Sequence, residues 1–312
     1  MAKKSSNAQD ILSKYTATSD VEFKSTGIEC LDELLGGGLT NNLYAMWGGQ
    51  GSGKSSLCFQ IAKAYCKRGE KVAYVDTEMG VSPQQIESFG LKKFKEEGLF
   101  LLLQCSDYDE YEQIIEALAE SDYQLVIVDS ETMIKAVVGK DLKVTDVRPG
   151  IKAQQSSFVM NKMNTLFHRA NKTAIILFHA RANINMSSYG NQPDTKMAGS
   201  WTSLHIPSCI IKVSAGAKVK DGDDIIGQII RITTEKNRYA KPFVEVSKKL
   251  IYGVGISKRI DLIDTSIERG LITMAGAGFY TLPWGDKIRG TKALYEMSSA
   301  DLKRLQESLK SC

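Results

Sequence analysis

The sequence lacks the features of a membrane, secreted or zinc-binding protein. It contains no apolar run of about 18 residues, the length that a transmembrane helix needs. The polar N-terminus, MAKKSSNAQD, lacks the apolar core of a signal peptide. The six cysteines form no C-x-x-C pair, and most lie in apolar stretches, which favours reduced core thiols over disulfides or zinc ligands. We therefore expect a cytoplasmic protein with no membrane partner.

Strong charge of either sign is also missing. The 40 basic and 36 acidic residues give a formal net charge of +4, which permits a nucleic-acid partner but does not argue for one. The 43% hydrophobic and 24% charged residues are ordinary for a globular enzyme, and 312 residues suffice for about two domains.

The most informative stretch is Gly48–Ser55, GGQGSGKS, which fits the phosphate-binding pattern G-x-x-x-x-G-K-[ST]. It follows a predicted buried strand at Leu43–Trp47 and precedes a predicted helix at Ser56–Arg68. Glycines let backbone N–H groups surround an anion, and the helix N-terminus adds partial positive charge. Lys54 would reach the β- and γ-phosphates and Ser55 would ligate Mg²⁺. The sequence therefore predicts a nucleoside triphosphate site.

Beyond this loop the sequence alternates predicted strands and helices. Near-continuous apolar runs separated by helices predict a parallel sheet that is buried on both faces, with ligands at the carboxyl ends of its strands. The predicted strands are Val72–Asp76, Phe100–Leu103, Leu125–Val128 and Ala174–Phe178, followed by β-rich segments at Cys209–Val213, Ile225–Thr234 and Val244–Ile251. The predicted helices are Pro83–Phe89, Tyr108–Ala119 and Gln154–Ala170.

Three polar side chains stand at or after these strand ends. Asp129 ends the run LVIVD and is placed to hold the water shell of Mg²⁺ beside Ser55, although many strands end in an aspartate that only caps a helix. Glu78 is a candidate general base for the attacking water, or a solvated loop acid. His179 is a candidate sensor of the γ-phosphate, or a structural histidine. Position in the sequence does not decide between the functional and the structural interpretation of Glu78 or of His179.

Two polar segments, residues 138–150 and 180–202, combine cations with a flexible backbone. Cations suit phosphates and aromatic rings suit bases, so both segments favour single-stranded DNA or RNA, although charged runs are usually only solvated surface. The cations are Lys140, Lys143, Arg148 and nearby Lys152 for the first segment and Arg181 and Lys196 for the second, which also holds Tyr189 and Trp201.

The order of these pieces resembles RecA recombinases across nearly the whole chain. Each motif is moderately specific, but their co-linear order is strongly so. The stretches that carry the resemblance are Ser25–Asp32, Gly36–Leu39, Val75–Glu78, Val126–Ser130, Asp146–Gly150, Tyr189–Asn191, Glu235–Arg238, Lys241–Phe243, Ile251–Ile256, Ala275–Tyr280 and Gly285–Gly290.

The resemblance implies an α/β fold: a P-loop RecA-type core whose mostly parallel twisted sheet is flanked by helices. Residues 1–20 would be a helical oligomerisation arm, residues 21–255 the ATPase core, and residues 256–312 a small α+β C-terminal domain. The implied function is a DNA-dependent ATPase that uses ATP and Mg²⁺. It would form a filament on single-stranded DNA and exchange strands with a homologous duplex, helped in some systems by a single-strand-binding protein or loader.

The resemblance also implies roles for particular residues. The catalytic residues would be Glu78, Lys54 and His179, and the metal ligands Ser55 and Asp129. The ATP-binding residues would be Gly48, Gly49, Gln50, Gly51, Ser52, Gly53, Lys54, Ser55, Ser56 and Asp129. Lys236 and Arg238 would contact the ATP of the neighbouring subunit. The DNA-binding residues would be Arg148, Gly150, Lys152, Ser157, Arg181, Tyr189, Lys196 and Gly199, with Lys287, Arg289 and Lys292 in the C-terminal domain.

Several positions depart from the RecA pattern. His179-Ala180 replaces an Asn-Gln pair, and the histidine resembles that of UvsX-like phage recombinases. Gln85 stands where RecA has its adenine-stacking tyrosine, which puts the base contact in doubt, and Pro149 and Gln154 do the same for part of the DNA contact set. A short N-terminal segment and no acidic C-terminal tail suggest a phage-encoded enzyme acting in a bacterial cell.

Two alternatives stay open at this point. One is a ring-forming motor of the RecA-core helicase type, against which the C-terminal resemblance argues. The other is an ATP-gated DNA-binding or regulatory protein that exchanges no strands, against which Glu78 and the in-trans cations argue.

Overall fold

The computed structural model describes residues 21–137, 150–182, 195–221, 223–276 and 278–310. The predicted arm at residues 1–20, and the predicted DNA contacts Arg148 and Tyr189, lie outside this part of the chain. The strands are β1 (Leu43–Gly48), β2 (Lys71–Asp76), β3 (Phe100–Gln104), β4 (Tyr123–Asp129), β5 (Thr173–Ala182), β6 (Thr195–Met197), β7 (Cys209–Asp221), β8 (Asp224–Asn237), β9 (Glu245–Ile251), β10 (Gly255–Ile256), β11 (Thr273–Ala275), β12 (Phe279–Thr281) and β13 (Lys287–Arg289). The helices are α1 (Glu29–Leu35), α2 (Lys54–Lys67), α3 (Pro83–Ser88), α4 (Lys92–Glu96), α5 (Tyr108–Glu120), α6 (Ile151–Arg169), α7 (Trp201–His205), α8 (Lys258–Glu268), α9 (Thr291–Tyr295) and α10 (Ser299–Lys310), with a 3₁₀ turn at Glu131–Met133.

One large sheet organises the molecule. Its strand order is β10-β9-β8-β7-β1-β5-β4-β2-β3, and β6 extends it by pairing with β5. The strands from β7 through β1, β5, β4 and β2 to β3 are parallel neighbours, whereas β8, β9 and β10 add in antiparallel fashion. This confirms the predicted α/β fold with a mostly parallel sheet. The carboxyl ends of β1, β2, β4 and β5 consequently meet at one edge.

Helices cover both faces of the sheet, and the apolar side chains of its strands are buried beneath them. Alternation along β4 sends Leu125 and Ile127 to one apolar cluster, with α1 and α2, and Val126 and Val128 to the other, with α5 and α6. All four side chains have zero exposure, and burying each stabilises the fold by about 1.5–3 kcal/mol. This packing fixes the strand ends on which the candidate site stands.

A third apolar cluster lies in the C-terminal part of the chain. It includes Ile263, Ile272, Leu294 and Leu305, from α8, α9, α10 and the segment leading into β11. The antiparallel sheet β11-β12-β13 lies with these helices, which agrees with the small α+β unit in the predicted fold. Among the described helices, none combines the length and apolar character that crossing a bilayer requires.

The described parts of the segment 180–202, residues 180–182 and 195–202, hold more regular structure than the sequence indicates. β5 continues to Ala182, β6 returns antiparallel beside it, and α7 begins at Trp201. Likewise, β7 runs beyond its apolar segment to Asp221, which pairs with Asp224 at the start of β8. Hairpin strands are held by backbone hydrogen bonds to each other, so they need no apolar alternation where they leave the core.

Candidate nucleotide and nucleic-acid site

The loop from Gly48 to Lys54 joins β1 to α2 in the predicted order. Gly48 lies against β7, since a Cβ atom there would stand 2.0 Å from the carbonyl oxygen of Val213. Gly53 has φ of 100°, which favours glycine, and a Cβ there would stand 2.9 Å from Leu250 Cδ1. The loop is therefore tightly packed at both of its ends, and the first N–H groups of α2 lie at the second of them. The other predicted nucleotide residues here, Gly49, Gln50, Gly51, Ser52 and Ser56, belong to this loop or to the first turn of α2.

Lys54 lies over its own loop. Its Nζ donates to the carbonyl oxygens of Gly48 at 3.0 Å and Gly49 at 2.9 Å, and the residue is only 7% exposed. Burial lowers the pKa of Lys54, and the carboxylates of Asp129 and Glu78 oppose that shift. Phosphate oxygens are stronger acceptors for an ammonium than carbonyl groups are, so a phosphate in the loop would compete for this amine.

Two hydroxyl groups reach Asp129 at the end of β4. Ser55 Oγ donates to Asp129 Oδ2 at 2.6 Å, and the Tyr74 hydroxyl donates to the same oxygen at 2.5 Å. Burial raises the pKa of Asp129, and these hydrogen bonds act against that rise because they favour the ionised carboxylate. The structure thus brings together Ser55 and Asp129, the predicted Mg²⁺ pair.

This donor set suits Mg²⁺ bound with a nucleotide. A hydroxyl and a carboxylate supply oxygen ligands, and Mg²⁺ usually keeps several waters and takes phosphate oxygens for the rest of its octahedral shell. Within the described ranges, no three His, Cys, Asp or Glu side chains gather to hold a metal by themselves. The site therefore fits a metal that arrives with its nucleotide.

Glu78 lies in the loop after β2 and contacts two donors. The Asp76 carboxylate shapes this loop by accepting three backbone N–H groups, at 3.0, 3.2 and 3.3 Å. Glu78 Oε1 accepts a hydrogen bond from Ser130 Oγ at 2.8 Å and lies 2.7 Å from His179 Nε2. The Glu78 and His179 side chains are 36% and 28% exposed. The predicted base and the predicted sensor are therefore in direct contact.

Strand register explains why these residues meet. Asp76 at the end of β2 pairs with Asp129 at the end of β4, and Gly48 at the end of β1 pairs with His179 in β5. The P-loop, Asp129, Glu78 and His179 consequently lie side by side at one edge of the sheet.

His179 also begins the hairpin of β5 and β6. Its carbonyl oxygen accepts the Ala198 N–H at 2.9 Å. Two residue pairs further on, Arg181 stands directly opposite Lys196, and both are exposed. Like charges directly opposite each other destabilise a hairpin, so this pair would gain from a polyanion.

The predicted DNA residues Gly199 and Ser157 have structural contacts around α7. Gly199 has φ of 144°, and a Cβ there would stand 2.8 Å from Ser203 Oγ. Ser157 Oγ on α6 accepts a hydrogen bond from Thr202 Oγ1 at 2.8 Å. These contacts hold α7 against α6, and they leave Trp201 76% exposed.

Lys152 and His179 share one partner, Thr132 in the 3₁₀ turn after β4. Lys152 lies in the first turn of α6, just after Gly150, and its Nζ donates to the Thr132 carbonyl oxygen at 2.6 Å. Thr132 Oγ1 accepts the backbone N–H of His179 at 3.1 Å. Burial lowers the pKa of Lys152. The end of the first loop and the start of the second are thereby linked through one threonine.

Lys236 lies near the end of β8, and Arg238 directly follows the strand. Lys236 Nζ donates to the carbonyl oxygens of Leu204 at 3.2 Å and His205 at 2.7 Å, in the last turn of α7. Burial, helped by the charge of Arg238, lowers the pKa of Lys236. Arg238 is exposed. In the described structure these side chains do not hydrogen-bond to the P-loop of their own chain.

The three predicted cations of the C-terminal part are all exposed. Lys287 and Arg289 are two residues apart on β13, so their side chains lie on the same face of the strand, and Lys292 follows in α9. The Arg289 guanidinium also lies 5.8 Å from the centre of the Phe279 ring. The structure thus places Lys287 and Arg289 on one face of β13, with Lys292 exposed in the helix that follows.

Comparison with known proteins places this site in a family. Residues 4–257 match the model of the RecA N-terminal domain. The chain belongs to the RecA family. Protein RecA of Thioalkalivibrio sulfidiphilus is 28% identical over 267 residues, which cover 85% of this chain and 76% of the relative. Protein RecA of Ruminococcus albus is 29% identical over 263 residues, covering 83% of this chain and 64% of the relative.

A solved structure agrees with this RecA-family membership. The crystal structure of the RadB recombinase superposes with a TM-score of 0.54 at 25% sequence identity. The superposition covers 74% of this chain and 97% of that chain. The likeness therefore extends over most of the chain.

Three residues of this RecA-family site escape the sequence reasoning: Tyr74, Ser130 and Thr132. Tyr74 sits inside an apolar strand, where an aromatic residue is normally core. Ser130 follows the predicted metal ligand directly, which is the one signal that could have indicated it. Thr132 carries no sequence signal, because its contacts arise only when β5 and α6 come together.

Proposed function

We propose that this protein is a DNA-dependent ATPase that assembles on single-stranded DNA and catalyses homologous pairing and strand exchange. The observation that carries the proposal is the 2.7 Å contact between Glu78 Oε1 and His179 Nε2. It joins a candidate catalytic base to the first residue of a cationic hairpin. A nucleotide site and a DNA site would then be connected through one pair of side chains.

The P-loop side of the site supports ATP binding. Lys54 would leave its carbonyl partners for the β- and γ-phosphates, and the N–H groups at the start of α2 would face the same phosphates. Ser55 and Asp129 would hold Mg²⁺, which when bound neutralises phosphate charge. Glu78 would take the proton of the attacking water.

His179 supports gating by nucleotide. Its Nε2 contacts Glu78 here, and the same nitrogen would instead contact a γ-phosphate beside the P-loop. Because the His179 backbone begins the β5–β6 hairpin, that exchange would alter the hairpin and with it Arg181 and Lys196. ATP would order the hairpin for DNA, and hydrolysis would release it.

Filament assembly is the second part of the proposal. Lys236 and Arg238 would contact the ATP of the neighbouring subunit, and residues 1–20 would pack on the next protomer, in front of an ATPase core at residues 21–255. Such head-to-tail contacts build an open helix when the rotation does not close. Lys236 also donates hydrogen bonds to the last turn of α7, which follows the β5–β6 hairpin. If Lys236 turned to the ATP phosphate of the neighbouring subunit, α7 would lose these hydrogen bonds.

DNA binding would depend on phosphates rather than base edges, so we expect sequence tolerance and strong salt dependence. Arg181, Lys196 and Lys152 would contact the single strand. In the C-terminal domain, residues 256–312, the cations Lys287, Arg289 and Lys292 would capture the incoming duplex. The UvsX-like histidine motivates the further proposal of a phage-encoded enzyme acting in a bacterial cell, with a single-strand-binding protein or loader as helper.

Strand exchange tests this proposal directly. Purified protein, ATP, Mg²⁺ and a single strand are mixed with a homologous or a heterologous duplex. Joint molecules should form only with the homologous duplex and should be lost in Lys54→Ala. DNA-stimulated ATPase without joint molecules, in the presence of a single-strand-binding protein, would instead indicate a ring motor or a non-exchanging binding protein.

A further inference from the structure

Tyr74 places a hydroxyl group deep in the core beneath the P-loop. The residue has zero exposure, and its neighbours Val72, Ala73 and Val75 on β2 are aliphatic and equally buried. A phenylalanine would fill the same space, so apolar packing does not account for the hydroxyl. The hydroxyl donates a 2.5 Å hydrogen bond to Asp129 Oδ2. The group therefore acts on the predicted metal ligand.

The ring of Tyr74 is held in place from two sides. It stacks on Phe59 with ring centres 4.9 Å apart and an interplanar angle of 16°, and lies 6.3 Å from the Phe100 ring. Phe59 lies one helical turn after Ser55 on α2, so the same helix supports the ring and supplies the other hydroxyl on Asp129. The direction of the Tyr74 O–H is consequently set by core packing.

Both hydroxyl groups donate to Oδ2 of Asp129, not one to each oxygen. Two donors on one oxygen fix the rotation of the carboxylate and direct Oδ1 away from them. Without the Tyr74 hydroxyl, Oδ2 keeps only the Ser55 donor, and the carboxylate is held less firmly against turning towards the Lys54 ammonium.

We infer that Tyr74 is a positioning residue that holds Asp129 in the orientation which binds Mg²⁺ in a Mg²⁺–nucleotide complex. The inference rests on the proposed nucleotide site. Tyr74 would not itself contact the nucleotide, so removing its hydroxyl should weaken only the part of nucleotide binding that depends on the metal.

The test compares ADP binding with Mg²⁺ and with EDTA by calorimetry, for the wild type and Tyr74→Phe. We expect affinity in Mg²⁺ to fall about tenfold, the effect of one hydrogen bond to a charged group, while affinity in EDTA stays unchanged. Tyr111→Phe is the matched control. Tyr111 is equally buried, in the cluster on the other face of the sheet, and its hydroxyl lies 3.8 Å from the Met163 sulfur.

Electron paramagnetic resonance of Mn²⁺ gives a second readout. At fixed ADP, Tyr74→Phe should need about tenfold more Mn²⁺ than the wild type for the same bound fraction. In an Asp129→Ala background, Tyr74→Phe should cause no further loss of Mn²⁺ affinity, because the hydrogen-bond acceptor of the Tyr74 hydroxyl is absent.

Three results would overturn the inference: wild-type metal dependence in Tyr74→Phe, an equal loss with Mg²⁺ and EDTA, or an undiminished effect in the Asp129→Ala background. If the wild-type protein binds ADP equally well with Mg²⁺ and with EDTA, the proposed metal site itself is refuted.

Discussion

The two carboxylates at the nucleotide edge are held in different ways. Asp129 is half-buried, and its partners Ser55 and Tyr74 belong to α2 and β2, which are packed into the core. Glu78 is partly exposed, and one of its partners, His179, stands at the base of the cationic hairpin. The difference indicates that the proposed metal ligand Asp129 is held by core elements, whereas the proposed catalytic base Glu78 is held in part by the hairpin that we propose binds DNA.

Removing the Lys54 amine should reduce ATP turnover more than any other change, because Lys54 belongs to the nucleotide site that is held by the core. Lys54→Ala should lower ATP turnover by about 10³-fold, since phosphate charge loses its preorganised partner. Turnover and ATP binding are measured together. Lys67→Ala, in the exposed last turn of the same helix, should match the wild type. Equal ATPase rates in Lys54→Ala would refute the P-loop assignment.

Glu78→Gln should separate chemistry from binding. We expect turnover to fall by about 10²–10⁴-fold, the usual contribution of a general base, with ATP binding nearly unchanged. Single-turnover hydrolysis and calorimetry measure the two quantities. Glu87→Gln, an exposed acid on α3, is the control. A matching loss of binding would mean that Glu78 shapes the nucleotide site and does no acid–base work.

Lys236→Ala with Arg238→Ala tests whether a neighbour completes the site. The double variant should lose about 100-fold in ATPase on DNA, as on loss of donors to a developing charge, while isolated protomers bind ATP normally. Mixing it with Lys54→Ala should restore part of the activity, because an intact P-loop then meets intact cations across some interfaces. Weaker ATP binding by isolated protomers would place these cations in their own subunit's site.

His179→Ala tests the link between the two sides. ATP binding should persist, but stimulation of the ATPase by single-stranded DNA should fall toward a ratio of one, because Glu78 no longer contacts the hairpin. His168→Ala, exposed in the last turn of α6, should keep the wild-type ratio. Undiminished stimulation would show that the DNA signal takes another route.

The smallest effect is expected at the hairpin cations. Arg181→Ala should reduce the slope of log affinity against log salt by about 0.7, the value for one phosphate contact on a single strand. DNA binding is measured by fluorescence anisotropy across a salt series. Lys95→Ala, an exposed cation on α4, should leave the slope unchanged. An unchanged slope in Arg181→Ala would remove this arginine from the DNA contacts.

Sequence reasoning reached the parts of this site that follow strand ends. Asp129 and Ser55 were predictable because a P-loop and a hydrophobic run ending in aspartate each fix a position relative to a strand. The meeting of Glu78 with Ser130 was not, because it depends on the register between β2 and β4. Tyr74 was hidden for a different reason: its ring satisfies the apolar pattern, and only its hydroxyl departs from it.

The fold shows the same division. The parallel core was predictable from its apolar runs, including nearly every strand and helix in order. The β5–β6 hairpin was missed because its strands carry polar side chains such as Arg181 and Lys196, and they are held by backbone pairing. Polar sequence thus conceals regular structure wherever strands project from the core.

Thr132 has a thermodynamic consequence for the whole molecule. Its carbonyl group holds Lys152 and its hydroxyl holds the His179 backbone, so one residue takes part in both loop environments. If DNA draws Lys152 away and thereby changes the affinity for nucleotide by some factor, nucleotide must change the affinity for DNA by the same factor. A single threonine would then set a reciprocal coupling that can be measured from either ligand.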